Sequence, residues 1–345
     1  MIPLVLVGCG AVSRQFYLPA LRALAPTGDY RVHAIVDPNP DARAMLLAAF
    51  PHANSADTLD TVNAPHDSLA VIATPPRFHA AQTKLALSRG WHVLCENPMA
   101  ATAAECDAMN IAAAEAQRLL AVGLYKRFFP AARYIRHTIA HNTLGALRHI
   151  EIAEGGPFRW PATSTSFFDK KQTPGGVLLD IGVHVLDLLL WWLGEPATLS
   201  YSDDAMGGLE INSVLDLTFA NRATAHLHFS RDWQTPQQYR LEFEHGTLTW
   251  HVNASNALTL HHHGAPSALQ SKLVSPDSEA PQSTQPQSFI DQLRNIAATI
   301  RGESQLLVPG TEGVRSLRLI EQCYREKLPL SQPWLTAAVP SAALA

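Results

Sequence analysis

The stretch PLVLVGCGAVS, residues 3–13, decides the fold of this chain. Its aliphatic run is typical of a strand and leads into a G-x-G-x-x-S motif, formed by Gly8, Gly10 and Ser13, ahead of an amphipathic segment. Gly8 permits a tight turn, and Gly10 lets backbone amides approach a pyrophosphate at the N-terminus of the next helix. Ser13 replaces a third glycine, where only a small residue is needed. The stretch therefore predicts a dinucleotide site.

The identity of the dinucleotide depends on the end of the second predicted strand. Asp37 stands there, and a carboxylate at this place accepts both ribose hydroxyls of an adenosine. The same charge repels a 2′-phosphate, and no arginine follows at once in the segment DPNP. We therefore expect NAD rather than NADP, with an ordinary structural turn as the alternative. The turn residues expected to contact the cofactor are Gly8, Gly10, Ala11 and Val12.

The first 125 residues alternate short aliphatic runs with amphipathic segments. Beyond the opening strand, the predicted strands are 30–37, 69–74, 92–97 and 119–125. Continuous apolar strands that alternate with helices indicate a parallel sheet covered on both faces. Residues 1–125 are thus predicted to form a doubly wound Rossmann domain.

The pattern changes after residue 126. From 197 to 263 polar and apolar residues alternate, as in an antiparallel sheet with one packed face. Residues 126–330 are therefore predicted to form an α+β domain with an open, mostly antiparallel sheet. Loops are expected at 157–174 and 264–288, two helices at 288–301 and 311–326, and a tail at 331–345. The predicted fold class is α/β.

Composition limits the classes of function. The chain has 345 residues, with 26 Lys+Arg against 30 Asp+Glu, so no basic excess favours nucleic acid or an anionic membrane. The N-terminus does not resemble a signal peptide. The 4 cysteines are scattered and are interpreted as reduced thiols. These features favour a cytoplasmic protein that acts on a small molecule.

The predicted helix over 176–193 carries three polar residues among leucines and tryptophans. Asp180, His184 and Asp187 follow one another at helical spacing and project from one side. An imidazole that titrates near neutral pH, one turn from a carboxylate, favours acid–base catalysis. A hydrogen-bonded core histidine and a metal site are the alternatives. The histidine run at 261–263 is interpreted as a polar loop, because consecutive strand residues point in alternate directions, and no metal is expected.

Several motifs together resemble the Gfo/Idh/MocA oxidoreductase family, which is named for glucose–fructose oxidoreductase and inositol dehydrogenase. They are GCGAVS, TPPRFHAAQTKLALSRGWHVLCENPMA, GLYKRFFPAAR, GGVLLDIGVHVLDLLLWWLG and VPGTEGVRSLRLIEQCYRE, and they extend over nearly the whole chain. The resemblance implies a nucleotide-binding domain and a second domain whose open sheet joins a homodimer or homotetramer. It also implies hydride transfer between nicotinamide and a sugar or cyclitol carbon.

The resemblance assigns roles to individual residues. His184 corresponds to the acid–base histidine, and Asp180 to the aspartate that contacts substrate. Glu96 and Pro98 match the family's E-K-P motif, with Glu96 on the cofactor side. The loop that contacts the cofactor corresponds to Thr74, Pro75 and His79.

Asn97 departs from the family pattern, which has a lysine at the centre of the E-K-P motif. An uncharged amide stabilises a developing oxyanion less well than an ammonium group. Another group can supply the proton or the charge: the Tyr125 hydroxyl, or a cation from a segment that lines the cleft in relatives. These cations are Lys126, Arg127, Lys170 and Lys171, of which Arg127 matches a cleft arginine of the family. Alternatively, the substrate is an imine or conjugated system that needs no lysine.

The sequence thus predicts an NAD(P)-dependent oxidoreductase with His184 as acid and base, acting on a small carbonyl, alcohol or imine. The expected catalytic residues are His184, Asp180, Asn97 and Tyr125, and the expected substrate contacts are Arg127, Lys126 and Lys170. Two alternatives remain: a redox-neutral enzyme of lyase or epimerase type that recycles bound NAD, and a non-catalytic NAD-binding protein.

Overall fold

The computed structural model describes residues 1–161, 168–274 and 285–330. The predicted tail at 331–345 and parts of the two predicted loops, 162–167 and 275–284, lie outside the described residues.

The first sheet has six parallel strands in the order β3-β2-β1-β4-β5-β6. Their bounds are β1 (Ile2–Val7), β2 (Tyr30–Val36), β3 (Asn54–Ala56), β4 (Leu69–Ile72), β5 (His92–Cys95) and β6 (Leu120–Val122). Strand order reverses between β1 and β4, which leaves a crevice at the carboxyl ends of these two strands. The predicted Rossmann arrangement is confirmed.

Four helices cover this sheet. They are α1 (Leu18–Leu24), which continues a π-helical turn (Ser13–Tyr17), α2 (Pro40–Leu47), α3 (Pro76–Ser88) and α4 (Ala103–Glu115). Local sequence explains where two of them begin. Asn39 caps α2 by accepting hydrogen bonds from two backbone amides, and Thr102 with Glu105 forms a capping box on α4.

The second sheet is mixed and mostly antiparallel. The described part of the chain contributes β7 (Leu147–Gly155), β8 (Pro196–Asp203), β9 (Asn212–Phe219), β10 (Thr224–Ser230), β11 (Gln238–Phe243), β12 (Gly246–His251), β13 (Ala257–His262), β14 (Leu269–Lys272) and β15 (Leu328–Pro329). Their order is β14-β13-β12-β11-β7-β10-β9-β8-β15, with parallel pairing only at β7–β10 and β8–β15. The predicted fold class is confirmed.

The remaining helices are α5 (Pro130–Ala140), α6 (Val183–Leu193), α7 (Gln285–Ile300) and α8 (Gly310–Glu326). Helix α6 is buried along most of its length, which explains its leucine-rich sequence. Alternate residues of β9 and β10, such as Leu215, Leu217 and Leu227, pack in the same core. Among the described residues, every helix is too short or too polar to cross a lipid bilayer.

Helix α7 returns to the first domain. Phe289 and Leu293 are buried in one cluster with Leu4 and Tyr17 of the Rossmann domain. The Tyr30 hydroxyl donates a hydrogen bond of 2.6 Å to the Leu293 carbonyl. The predicted boundary at residue 125 does not anticipate this packing, because the contacts join segments that are far apart in sequence.

Candidate active site

A crevice of about 2220 Å³ opens at the carboxyl ends of the first sheet, and residues of both domains line it. It brings together all the predicted site residues except one. Those that line it are Gly8, Gly10, Ala11, Val12, Asp37, Thr74, Pro75, His79, Glu96, Asn97, Tyr125, Lys126, Lys170, Asp180 and His184. Arg127 is the exception, and Lys171, the other cation considered, also lies outside the lining.

The glycine-rich turn has the geometry that a phosphate cradle needs. Gly8 has φ +97°, and a Cβ there would lie 2.5 Å from the Ala73 carbonyl oxygen. A Cβ on Gly10 would meet no heavy atom within 4 Å, so this position opens into the crevice. The Ser13 hydroxyl donates a 2.5 Å hydrogen bond to the Gly8 carbonyl. This bond ties the glycine-rich loop to the first residue of the π-helical turn. The turn thus leaves room for a pyrophosphate beside its backbone amides.

The Asp37 carboxylate is fixed beside that turn. One oxygen accepts a 2.7 Å hydrogen bond from the Cys9 amide, and the other accepts one of 2.9 Å from the Asn39 amide. Arg43 also lies here: it donates to the Asp37 carbonyl and pairs with Asp57 at 2.7 Å. Arg43 was not predicted at this site, because it lies beyond the segment DPNP that directly follows the second strand.

His79 joins the two loops that follow β4 and β5. Its Nδ1 lies 2.9 Å from the Pro98 carbonyl oxygen and its Nε2 lies 2.6 Å from that of Thr74. The ring is buried, and burial lowers its pKa. His79 therefore holds the crevice edge in shape through its backbone contacts.

Glu96 is a buried carboxyl group next to Asn97. It accepts hydrogen bonds from the Tyr17 hydroxyl and, at 3.1 Å, from the Asn97 amide. Burial raises its pKa to about 7, although both hydrogen bonds act in the opposite direction. A Cβ at Gly123 would lie 2.5 Å from its carboxylate, so the glycine makes room for it.

His184 stands in the first turn of α6, directly after a second π-helical turn (Leu178–Gly182). π-Helical turns interrupt helices mainly at functional sites. The His184 ring contacts the Tyr125 ring edge to face. Its Nδ1 is buried and has no hydrogen-bond partner among the described residues. Burial lowers the pKa of His184 to about 3, and the charge of Lys126 adds to the effect. The imidazole is therefore neutral, and in the empty crevice it is a weaker base than the expected titration near neutral pH implies.

Glu210 holds this helical segment at its start. One carboxylate oxygen accepts hydrogen bonds from the amides of Gly176 (2.9 Å) and Leu178 (3.1 Å) and from the Tyr324 hydroxyl (2.7 Å). These bonds satisfy amides at a helix N-terminus that have no partner within the helix. Glu210 therefore positions the segment that carries Asp180 and His184.

Asp180 forms an ion pair with Arg231, which follows β10. Burial lowers the pKa of Arg231 to about 10, and its guanidinium lies 5.3 Å from the centre of the Phe158 ring. Sequence reasoning did not find Arg231, because nothing local links it to a helix so distant in the chain. Lys170 is exposed at the crevice edge and donates 2.6 Å to the Gly207 carbonyl.

Lys126 is buried, only 3% exposed, rather than solvated. Its Nζ lies 2.5 Å from a Glu154 carboxylate oxygen and 3.3 Å from the Tyr239 hydroxyl. That hydroxyl donates a 2.6 Å hydrogen bond to the other Glu154 oxygen. The three side chains form a polar cluster, of which Lys126 and Glu154 line the crevice.

Arg127 lies outside the crevice lining, and its placement does not support the predicted contact with substrate. Its guanidinium bonds to Asp187 at 2.6 and 2.9 Å and to Glu312 at 2.7 Å. Arg127 and Asp187 are each 1% exposed. Asp187 therefore faces Arg127 in the core and does not share the crevice with His184. Arg127 and Asp187 are buried as a pair, because a buried charge is costly without an opposite charge beside it.

Metal ligands do not come together in the described part of the chain. No group of three His, Cys, Asp or Glu side chains there is arranged to hold an ion. The cysteines Cys9, Cys95, Cys106 and Cys323 are all buried as free thiols.

The fold and the phosphate-binding turn define a dinucleotide-binding protein, and comparison with known proteins gives its family. The family model described as "Oxidoreductase family, NAD-binding Rossmann fold" matches residues 2–124, and the GFO/IDH/MocA C-terminal domain matches residues 132–249. The chain belongs to the Gfo/Idh/MocA oxidoreductase family, so the resemblance inferred from its motifs is confirmed.

Individual relatives are more distant. D-glucoside 3-dehydrogenase of Escherichia coli is 32% identical over 168 residues, which are 46% of this chain and 41% of the relative. Aldose–aldose oxidoreductase from Caulobacter crescentus has a TM-score of 0.80 at 23% identity, covering 94% of this chain and 97% of that one. A Bordetella pertussis dehydrogenase in complex with NADH and UDP-GlcNAcA has a TM-score of 0.78 at 22% identity, covering 96% and 98%. The chain spans about half the length of the curated relatives it matches.

Proposed function

We propose that the protein is an NAD-dependent oxidoreductase that moves hydride between nicotinamide and a sugar-like substrate, with His184 as the acid and base. The observation that carries this proposal is the unpaired Nδ1 of a neutral imidazole, held in the same crevice as an open glycine-rich turn. A buried polar atom without a partner is costly unless a ligand satisfies it.

The residues of the crevice fit the cofactor. The open space at Gly10 suits a pyrophosphate, and the fixed Asp37 carboxylate suits a ribose diol. When bound, NAD supplies the hydride acceptor or donor. For the chain's part, neutral His184 takes the hydroxyl proton of an alcohol during oxidation and returns it during reduction. The edge contact with Tyr125 orients the imidazole, and the Tyr125 hydroxyl is our candidate for a second proton donor.

NAD is the proposed form of the cofactor. The carboxylate of Asp37 repels a 2′-phosphate, whereas the guanidinium of Arg43 is already paired with Asp57. This pairing supports NAD, although a cation lies near the adenosine end.

A sugar-like substrate is supported by the polar end of the crevice and by the relatives. The Asp180–Arg231 pair offers both acceptors and donors to hydroxyl groups. D-glucoside 3-dehydrogenase and aldose–aldose oxidoreductase carry sugar substrates in their names. We also propose a cytoplasmic protein that forms a homodimer or homotetramer through the open sheet, whose solvent-side residues alternate with buried ones.

The test is a panel of sugars, glycosides and nucleotide sugars incubated with NAD and with NADP, followed through the absorbance of the reduced cofactor. We expect NAD reduction with at least one sugar and its loss in His184→Ala. Product formation without net change in the cofactor would favour the redox-neutral alternative. NAD binding without any product would favour the non-catalytic one.

A further inference from the structure

We propose that Lys126 stabilises the negative charge that develops on the reacting substrate oxygen, at a crevice wall where Asn97 offers no charge. The inference rests on the proposed function and assigns a catalytic group to it. Both residues line the crevice that contains His184.

The placement of Lys126 follows from its neighbour in sequence. Tyr125 contacts the His184 ring, with centroids 4.9 Å apart, and Lys126 is the next residue of the same 3₁₀ turn (Tyr125–Phe128). The ammonium group is held on the crevice wall by Glu154 at 2.5 Å and Tyr239 at 3.3 Å. It is therefore preorganised and loses little freedom when a substrate binds.

Lys126 has one hydrogen-bond donor more than its two partners accept. Burial lowers its pKa, and the charge of Glu154 opposes this shift and favours the ammonium form. An ammonium group has three N–H donors, and two acceptors lie within reach of Nζ among the described residues. No third acceptor lies within hydrogen-bond distance of Nζ in the described part of the chain, so a substrate oxygen in the crevice could take the third donor. Arg127, the next residue, differs: its guanidinium bonds to Asp187 and Glu312 and does not reach the crevice.

The positive potential of Lys126 reaches the imidazole. Besides burial, the charge of Lys126 lowers the pKa of His184. Lys170, another cation of the crevice, is exposed at the edge, where solvent weakens its field. Arg231 is paired with Asp180 as Lys126 is with Glu154, but only Lys126 directly follows the tyrosine that contacts His184.

Oxidation of an alcohol removes one hydride and one proton from the substrate. During oxidation the C–H electron pair leaves as hydride to the cofactor, the O–H proton passes to His184, and the C–O bond becomes a carbonyl. The substrate oxygen carries excess negative charge when proton loss runs ahead of hydride loss. A fixed ammonium group lowers the energy of that oxygen, in either direction of the reaction.

The test uses variants designed to keep the fold. Lys126→Met alone would leave Glu154 buried without a partner, so Lys126→Met/Glu154→Gln removes both charges together. A third substitution, Asn97→Lys, returns a cation to the crevice wall in that background. Lys84→Met, at an exposed position of α3, is the matched control for loss of a lysine.

Three readouts are measured: the rate of hydride transfer to an accepted sugar, the Kd for NAD, and the pKa of His184 in the cofactor-free protein by NMR. We expect the double variant to lose about 100-fold in rate, because one preorganised oxyanion donor contributes about that much. Its Kd for NAD should stay within about threefold, and the pKa of His184 should change little, because a positive and a negative charge leave together. Asn97→Lys should restore about tenfold of the lost rate.

A rate loss below about tenfold overturns the role of Lys126. So does a triple variant that is no faster than the double variant. His184→Ala is run in parallel to separate the two proposals. If His184→Ala is inactive while the double variant keeps the wild-type rate, only the role of Lys126 fails. If wild-type protein transfers no hydride to any sugar, the proposed function fails with it.

Discussion

The rings of Tyr125 and His184 meet edge to face, with centroids 4.9 Å apart and planes inclined by 63°. Tyr125 also stacks on Phe289 of α7 at 5.4 Å. Tyr125, which follows β6, thus orients the imidazole that we propose carries the proton. Tyr125 itself packs against α7, a helix near the C-terminal end of the described residues.

This contact predicts separate effects of the Tyr125 ring and its hydroxyl. Tyr125→Phe should keep the stacking and the Tm but lower kcat about tenfold, because a proton donor is lost. Tyr125→Leu should lower kcat further and reduce the Tm, because the aromatic contacts contribute about 1 kcal/mol each. Steady-state kinetics and thermal melts measure both. A wild-type kcat in Tyr125→Phe would show that the ring alone matters.

Gly8 and Gly10 should respond differently to the same substitution. Gly8→Ala should destabilise the protein by about 2 kcal/mol or more, because its φ of +97° and the nearby Ala73 carbonyl exclude a Cβ. Gly10→Ala should leave the Tm unchanged and weaken NAD binding, because its Cβ would project into open space where the pyrophosphate is expected. Thermal melts and calorimetric titration with NAD compare the two. Equal losses of Tm would contradict the assignment.

Glu96 should make the cofactor-free protein less stable as pH rises. Burial raises its pKa from the ordinary value of 4.5 to about 7, so between these values the folded protein holds a proton that the unfolded chain has lost. Stability therefore falls through this window, by ~3 kcal/mol in total. Glu96→Gln should melt higher than wild type at pH 8 and close to it at pH 4. Glu115→Gln, at an exposed position of α4, is the control. A difference in Tm that does not vary with pH would refute the linkage.

Arg127 should contribute to stability more than to catalysis. Arg127→Met leaves the Asp187 carboxylate buried without its partner and should cost about 3–5 kcal/mol. Arg127→Met/Asp187→Leu should recover much of that loss, because neither charge remains. Denaturant unfolding measures the stabilities. If the double variant folds stably but its KM for substrate rises steeply, Arg127 contacts substrate after all.

Asp37 should determine the choice between NAD and NADP. Asp37→Ser removes the negative charge beside the ribose and should raise the ratio of kcat/KM for NADP over NAD about tenfold or more. Asp216→Ser, an exposed carboxylate on β9 outside the crevice lining, is the matched control. An unchanged ratio would place the discrimination elsewhere.

Much of the nucleotide-binding domain was predictable from its sequence. Five of its strands are largely aliphatic and mostly buried. Their first residues agree with the predicted segments to within one residue, and their last residues to within three. Strand β3 was missed because Asn54–Ala56 is short, polar and mostly exposed. The helix predicted over 176–193 is in fact divided, since a π-helical turn precedes α6. The spacing of apolar residues does not distinguish a π-helix from an α-helix over a single turn.

The site was predictable where a local motif carried it. The glycine turn, Asp37, Glu96 and His184 stand in recognisable segments, and all of them line the crevice. The buried placement of Arg127 was not predictable, because the sequence around a basic residue does not show which acidic side chain will pair with it.

The partners of the site residues were beyond sequence reasoning. Glu154 and Arg231 come from strands of the second domain, and neither is near its partner, Lys126 or Asp180, in the chain. Such pairs depend on tertiary packing, for which one sequence gives no signal.

The packing of α7 against the nucleotide-binding domain has a consequence for protein engineering. Phe289 and Leu293 complete the apolar face that Leu4 and Tyr17 present, so a fragment ending at residue 125 would leave that face bare. Transplanting the nucleotide-binding module into another scaffold would therefore require two separate pieces of polypeptide. A chimera made by a single crossover would inherit mismatched halves of one core.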